Sequence, residues 1–261
     1  MNLGELKKIE DFWDSQPCNV KHSLLEVGTK EYFIEVSKKR YFVEPHIMKF
    51  LNAEKYANQT VLELGCGIGT DAAYLASKSI NYQGIDISKA SVDIAILRFD
   101  LFNLRGKFAH CPIEEFDLLS TGFQQPDLVY SFGVLHHTVD PAYALSKIVR
   151  QVKVGCEFKI MLYAKYSYKM AMIKAGLDQF EAQSNVPYAS TYSRDEAESL
   201  MRQVGLSVQK ISQDHLFMFN LEKYKNNIFE IAPEFESMSP EIRNAMRQYL
   251  GWHLLIDAIK I

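Results

Sequence analysis

The sequence predicts a doubly wound α/β fold: a mostly parallel, seven-stranded sheet with helices on both faces, a helical N-terminal cap and two insertions. Three observations predict it. From Thr60 onward, short apolar runs alternate with helical patterns, the rhythm of βαβ units. The first run leads straight into a glycine turn at Gly65, Gly67 and Gly69. Finally, 261 residues with 48% hydrophobic content suit one substantial core with decorations.

Residues 1–59 interleave aromatic and charged side chains (Phe12, Trp13, Tyr32, Phe33, Tyr41, Phe42) and carry no strand pattern. Pro45 suits the first turn of a helix whose apolar stripe runs through Ile47, Met48, Leu51 and Tyr56. This segment is read as a cap folding over whatever the sheet binds. Strands are expected at 61–64, 82–87, 107–110, 127–132 and 158–164, with two more at 208–211 and 254–259.

The helices between them have recognisable ends. A short one is expected at 70–77. Ser88 can cap a helix bearing Val92, Ala95, Ile96 and Phe99. Asp140 and Pro141 open one with Ala144, Leu145, Ile148, Val149 and Val152, ending near Gly155. Ser193 and Glu196 form a capping box ahead of Ala197, Leu200, Met201 and Val204, and Gly205 ends that helix. Residues 166–192 and 222–249 exceed ordinary connections and are read as insertions, within a domain spanning 60–261.

A formal charge of −3 gives no global basic field, so nucleic acid is not an expected partner. The N-terminus mixes both charge signs and no apolar run reaches spanning length; a soluble, cytoplasmic protein without membrane association is expected. Cys18, Cys66, Cys111 and Cys156 are scattered, which argues against a zinc ribbon or a disulfide framework. Cys18 and His22 are two candidate ligands and do not close a metal site, so no metal is expected.

Glycines let a backbone turn sharply and approach a ligand, and the following helix offers unpaired N–H groups. The second strand ends in Asp86, where a carboxylate can accept both ribose hydroxyls. A dinucleotide fingerprint requires glycine at the sixth position, which here is Thr70. Glu63, inside the strand, also leads away from dinucleotide binding.

Residues 61–70 resemble motif I of class I S-adenosylmethionine-dependent methyltransferases, which have a Rossmann-like sheet. Residues 84–88 are similar to their second motif, and 127–137 resemble the fourth strand and its following loop. The resemblance implies S-adenosyl-L-methionine as methyl donor and S-adenosyl-L-homocysteine as product. It places Glu63, Gly65, Cys66, Gly67 and Gly69 around the methionine end, Asp86 on the ribose and Ile87 against the adenine, with Ser131 and Gly133 completing the donor site. Pro112 occupies the position where many relatives carry the adenine-binding acid or amide, leaving the Ile113 backbone, Glu114 or a shifted loop for that role.

Methyl transfer to oxygen or nitrogen requires a proton to leave, and a neutral histidine can receive it. His136, in the pair with His137, and Tyr163, near Tyr166 and Tyr168, are the candidate catalytic groups. Tyr32 and Tyr41 are candidates for closing over the donor's carboxylate. The resemblance implies methylation of an oxygen or nitrogen of a small molecule or modified peptide. Carbon methylation of a quinone- or sterol-like acceptor, and a non-catalytic donor-binding module, are the alternatives.

Overall fold

The protein is described from a computed structural model covering residues 3–177, 185–226 and 228–261. Three helices precede the sheet: α1 (Leu3–Ser15), α2 (Lys30–Val43) and α3 (His46–Leu51). Then follow β1 (Thr60–Leu64), α4 (Thr70–Ala76), β2 (Asn81–Asp86), α5 (Lys89–Leu101), β3 (Gly106–His110), β4 (Leu128–Phe132), α6 (Pro141–Gln151) and β5 (Glu157–Ala164). The remainder comprises α7 (Tyr168–Lys174), β6 (Thr191–Tyr192), α8 (Arg194–Gln203), β7 (Leu206–Asp214), α9 (Leu221–Lys225), α10 (Pro233–Glu236), α11 (Pro240–Leu250) and β8 (His253–Lys260).

The main sheet order is β3-β2-β1-β4-β5-β8-β7. Only β8 runs antiparallel to its neighbours β5 and β7. All seven expected strands are present, with β7 extending furthest beyond its expected ends. The eighth, β6, is a two-residue strand pairing with β5, too short to leave a hydrophobic pattern. Strand order reverses between β1 and β4, and the crevice at their C-terminal ends is where such sheets bind ligands.

One sheet face packs Leu62, Leu64, Val129 and Ile160 against Leu145, Ile148 and Val149 of α6 and Ala197 and Met201 of α8. The other packs Val61, Tyr82, Leu128 and Tyr130 against Leu75 of α4 and Ile47, Phe50 and Leu51 of α3. The Ser88 cap accepts from Ser91 N, and the Ser193/Glu196 capping box is complete in both directions.

Residues 3–59 hold α1, α2, α3 and 3-10 turns at Val20–His22 and Ala53–Tyr56, and they are not a uniform lid. Asn52 adopts a left-handed conformation and breaks the single helix expected from Pro45 to Tyr56 into α3 and a 3-10 turn at Ala53–Tyr56. That stretch belongs to the second core. In α2, Tyr32, Phe33 and Val36 are buried with Ile68 in a cluster separate from the two sheet cores, and Leu6 and Ile9 of α1 are buried as well. The insertion at 222–249 forms α9 to α11. Of that at 166–192, α7 and β6 are seen, while 178–184 lie outside the described residues.

Candidate active site

The glycine turn closes over the C-terminal end of β1. Gly65 and Cys66 both donate their N–H to the Ile85 carbonyl, at 2.8 and 3.0 Å, tying the turn to β2. Gly65 sits at φ +74°, and a Cβ there would lie 2.2 Å from Val134 Cγ2, so glycine alone fits between β1 and the loop after β4. Gly67, at φ +50°, differs: a Cβ would meet nothing within 4 Å. Asp86 accepts from Gly67 N at 2.7 Å and from Ser88 N at 2.8 Å, holding the turn to the end of β2. Burial pushes its carboxyl up, against these two amides, which lower it.

Around the turn lies a cavity of about 220 Å³. Gly65, Gly67, Asp86 and Ile87 form one wall, Leu6, Ile9 and Trp13 of α1 another, and Phe132, Tyr163, Trp252 and His253 the far end. Arg40 enters from α2 and is bidentate to Asp71, with Nε and Nη2 at 3.1 and 3.0 Å from its carboxylate oxygens, while Nη1 donates to Glu44 at 2.7 Å. Tyr41 and Tyr130 hydroxyls also donate to Asp71, each at 3.1 Å. Burial pushes Asp71 up, yet Arg40 and these donors bring it below the usual carboxylate range. Glu63, accepting from the Tyr82 hydroxyl at 2.6 Å, is pushed up to about 8 by burial and then by the charge of Asp71.

Four cavity-lining residues keep a buried polar atom without a hydrogen-bond partner among the described residues: Glu114 Oε1, His137 Nε2, Thr70 Oγ1 and Trp252 Nε1. Buried polar atoms are rarely left so, and a cluster facing one cavity fits a polar ligand. His137 is informative because its Nδ1 lies 2.6 Å from the Tyr188 carbonyl. A carbonyl only accepts, so Nδ1 carries the proton and Nε2 presents a lone pair. Burial lowers His137 to about 4, which keeps the ring neutral.

Of the residues singled out from the sequence, the structure brings Glu63, Gly65, Cys66, Gly67, Asp86, Ile87, Ile113, Gly133 and Tyr163 to the cavity wall. Gly69 instead fits closely against α5, where a Cβ would lie 2.9 Å from Ala95 Cβ. Ser131 is fully buried inside β4, and Pro112 leaves the wall to Cys111, Ile113 and Glu114. His136 is placed elsewhere than expected: it is fully buried against Tyr163, ring centroids 3.7 Å apart, and His137 rather than His136 lines the cavity after the tight turn at Leu135–His137.

Tyr32 and Tyr41 do not line the cavity either. The Tyr32 hydroxyl donates to the Val20 carbonyl from a packed cluster, and Tyr41 is engaged with Asp71. Sequence reasoning missed Arg40, Asp71, Lys169 and His215. Arg40 follows two lysines on an otherwise exposed-looking helix, and nothing local distinguishes it.

The family profile described as Methyltransferase domain matches residues 62–158. Residues 62–158 are thus similar to a methyltransferase domain, on a sheet of Rossmann-like order. Among curated relatives, the ubiquinone biosynthesis O-methyltransferase of Hydrogenovibrio crunogenus is 29% identical over 161 residues, covering 59% of this chain and 64% of that protein. Its counterpart in Aromatoleum aromaticum is 23% identical over 168 residues, covering 60% and 71%. The first alignment thus spans less than two thirds of its relative.

The chain also shares its fold with solved structures. Geranyl diphosphate C-methyltransferase from Streptomyces coelicolor, solved with Mg2+, geranyl diphosphate and S-adenosyl-L-homocysteine, has a TM-score of 0.64 at 16% identity, covering 98% of both chains. Magnesium protoporphyrin IX methyltransferase from Synechocystis, solved with bound S-adenosylhomocysteine, has a TM-score of 0.62 at 13% identity, covering 97% of this chain and 98% of that one. Among the described residues, no helix is long and apolar enough to cross a membrane.

Proposed function

We propose that the protein transfers a methyl group from S-adenosyl-L-methionine to an oxygen or nitrogen of a small molecule. The observation that carries this reading is the open cradle at Gly67 beside Asp86, at the switch point of the sheet. The donor's amino-acid end fits beside the glycine turn, where Arg40 offers a partner for its carboxylate, Asp71 offers negative charge to its ammonium and Glu63 offers a neutral carboxyl. Asp86 retains acceptor capacity for ribose hydroxyls, because each oxygen accepts one amide and a carboxylate oxygen has two lone pairs. Glu114, with its unpartnered Oε1 on the wall, suits an adenine amino group.

The donor supplies a methyl carbon made electrophilic by its sulfonium. What the chain contributes is alignment and dryness: Leu6, Ile9 and Trp13 exclude water, and a fixed acceptor gains most of its rate from positioning. The lone pair on His137 Nε2 is suited to take the acceptor's proton, with Tyr163 beside it at a centroid distance of 5.5 Å. Oxygen is favoured as the acceptor atom by the two relatives named as O-methyltransferases. Cys18, Cys66, Cys111 and Cys156 are not joined in disulfides, which supports a reducing, cytoplasmic setting.

The test is incubation of the full-length protein with methyl-labelled donor and a small-molecule extract. The expected result is a labelled low-mass product bearing the methyl on oxygen or nitrogen, strongly reduced by His137→Ala. Donor binding with no labelled product would favour a non-catalytic module, and label on carbon would replace the acceptor assignment.

A further inference from the structure

Glu44, His215 and His253 at the far end of the cavity meet His46, packed against both rings outside the cavity lining, from distant parts of the chain. Glu44 follows α2, His46 opens α3, His215 follows β7 and His253 opens β8. His46 Nε2 lies 2.9 Å from His253 Nδ1, and His253 Nε2 faces Glu44 Oε1 at 3.6 Å. The donor atoms that Glu44, His46 and His253 offer all lie within 4.8 Å of one another. Glu44 divides its oxygens: Oε2 accepts from Arg40, which leaves Oε1 turned to the histidines.

Two further features set this cluster apart from ordinary packing. His215 stacks on His253 at 4.5 Å and holds a left-handed backbone, φ +67°, which is uncommon for a ring-bearing side chain. Its carbonyl accepts from Trp252 N at 2.9 Å, fixing the loop against β8.

We propose that Glu44, His46 and His253 bind one divalent transition-metal ion at the acceptor end of the cavity, presented to an anionic oxygen of the methyl acceptor. The donor set decides the metal class. Two imidazoles and a carboxylate suit zinc, iron, cobalt or manganese, whereas magnesium and calcium prefer oxygen ligands alone. Ligands at about 2.1 Å from one ion are roughly 3.0 Å apart when adjacent and at most about 4.2 Å when opposite. The 2.9 Å nitrogen pair already matches adjacent ligands, and the third donor closes with a small side-chain movement. Arg40 is paired with Asp71 and Glu44 and Arg247 with Asp214, so the ion's own charge, with Lys169 nearby, leaves the loaded site positive, and an anionic oxygen completes it better than a neutral one.

Only the choice of an acceptor oxygen as the ion's further ligand rests on the proposed methyl transfer; the site itself does not. The test loads the chelator-treated, full-length protein with Co2+, with elemental analysis and the visible Co2+ spectrum as readouts. One equivalent per chain is expected, with affinity reduced at least tenfold in His46→Gln and in His253→Gln. Binding of S-adenosyl-L-homocysteine by calorimetry reports whether each variant is folded, and His46 does not line the donor cavity. Wild-type protein taking up no stoichiometric Co2+, or both variants retaining it, overturns the metal site while leaving the methyltransferase reading intact. Loss of Co2+ through Cys18→Ser or His22→Gln instead would move the site elsewhere and equally overturn it. Failure of the wild type to bind S-adenosyl-L-homocysteine would count against the methyl-donor reading and not against the metal.

Discussion

Gly67→Ala isolates the donor cradle because the added methyl has room in the protein alone. Gly67 sits at φ +50° and a Cβ there would meet nothing within 4 Å, while its N–H bond to Asp86 would survive the change. Left-handed backbone costs an alanine about 1–2 kcal/mol, so folding stability should fall by that amount and no more. A ligand lying against the turn would collide with the methyl, and overpacking of about 1–3 kcal/mol corresponds to roughly a fivefold to hundredfold loss of affinity. Gly122→Ala is the matched control: φ is +64°, nothing lies within 4 Å, and the residue is away from the cavity. Urea unfolding should give equal losses for both variants, and calorimetry with S-adenosyl-L-homocysteine should separate them. Equal affinities for both variants and the wild type would refute the reasoning, because the donor would then not approach Gly67.

Three other perturbations read different parts of the site. Asp86→Ala removes the acceptor of two backbone amides, a loss of about 1.5–3 kcal/mol for bonds to a charged group, and should weaken donor binding tenfold or more. Unchanged affinity in that variant would place the ribose elsewhere. Deleting residues 1–15 strips Leu6, Ile9 and Trp13 from the cavity and the Asp14 contacts to Ser88 and Ala90, so turnover should drop far more than melting temperature; normal turnover would make α1 an accessory. Glu63 predicts a pH dependence of stability. Its folded carboxyl stays protonated up to about 8 whereas the unfolded one ionises near 4.5, so the folded state binds more protons across that interval. The contribution present below pH 4.5 is therefore lost as pH rises through about 8, and Glu63→Gln should flatten that limb in urea titrations. A variant with the wild-type slope would show that Glu63 is not its source.

The alternation from Thr60 onward is enough to read the sheet, because parallel strands buried on both faces leave continuous apolar runs and their helices leave capped, periodic ones. Ser88, Asp140 and the Ser193/Glu196 pair announce three helix starts directly. The donor side is legible for the same local reason: Gly65, Gly67 and Asp86 lie within two adjacent strand ends. The acceptor side is not. His46 and His253 are 207 residues apart in sequence, and only the pairing of β8 with β5 and the packing of α3 bring them together. Arg40 is hidden because burial of a cation depends on Asp71 and Glu44, which no periodicity reveals. The choice between His136 and His137 turns on a one-residue rotation in the Leu135–His137 turn, finer than any pattern in the residues themselves.

The central claim is that the cavity between the glycine turn and Asp86 takes a methyl-donor nucleoside. Calorimetric titration of the full-length protein with S-adenosyl-L-homocysteine, repeated with NADH, tests it most directly. The account predicts one site per chain for S-adenosyl-L-homocysteine and no competition from NADH. Stoichiometric NADH binding with none of the thioether nucleoside would contradict it.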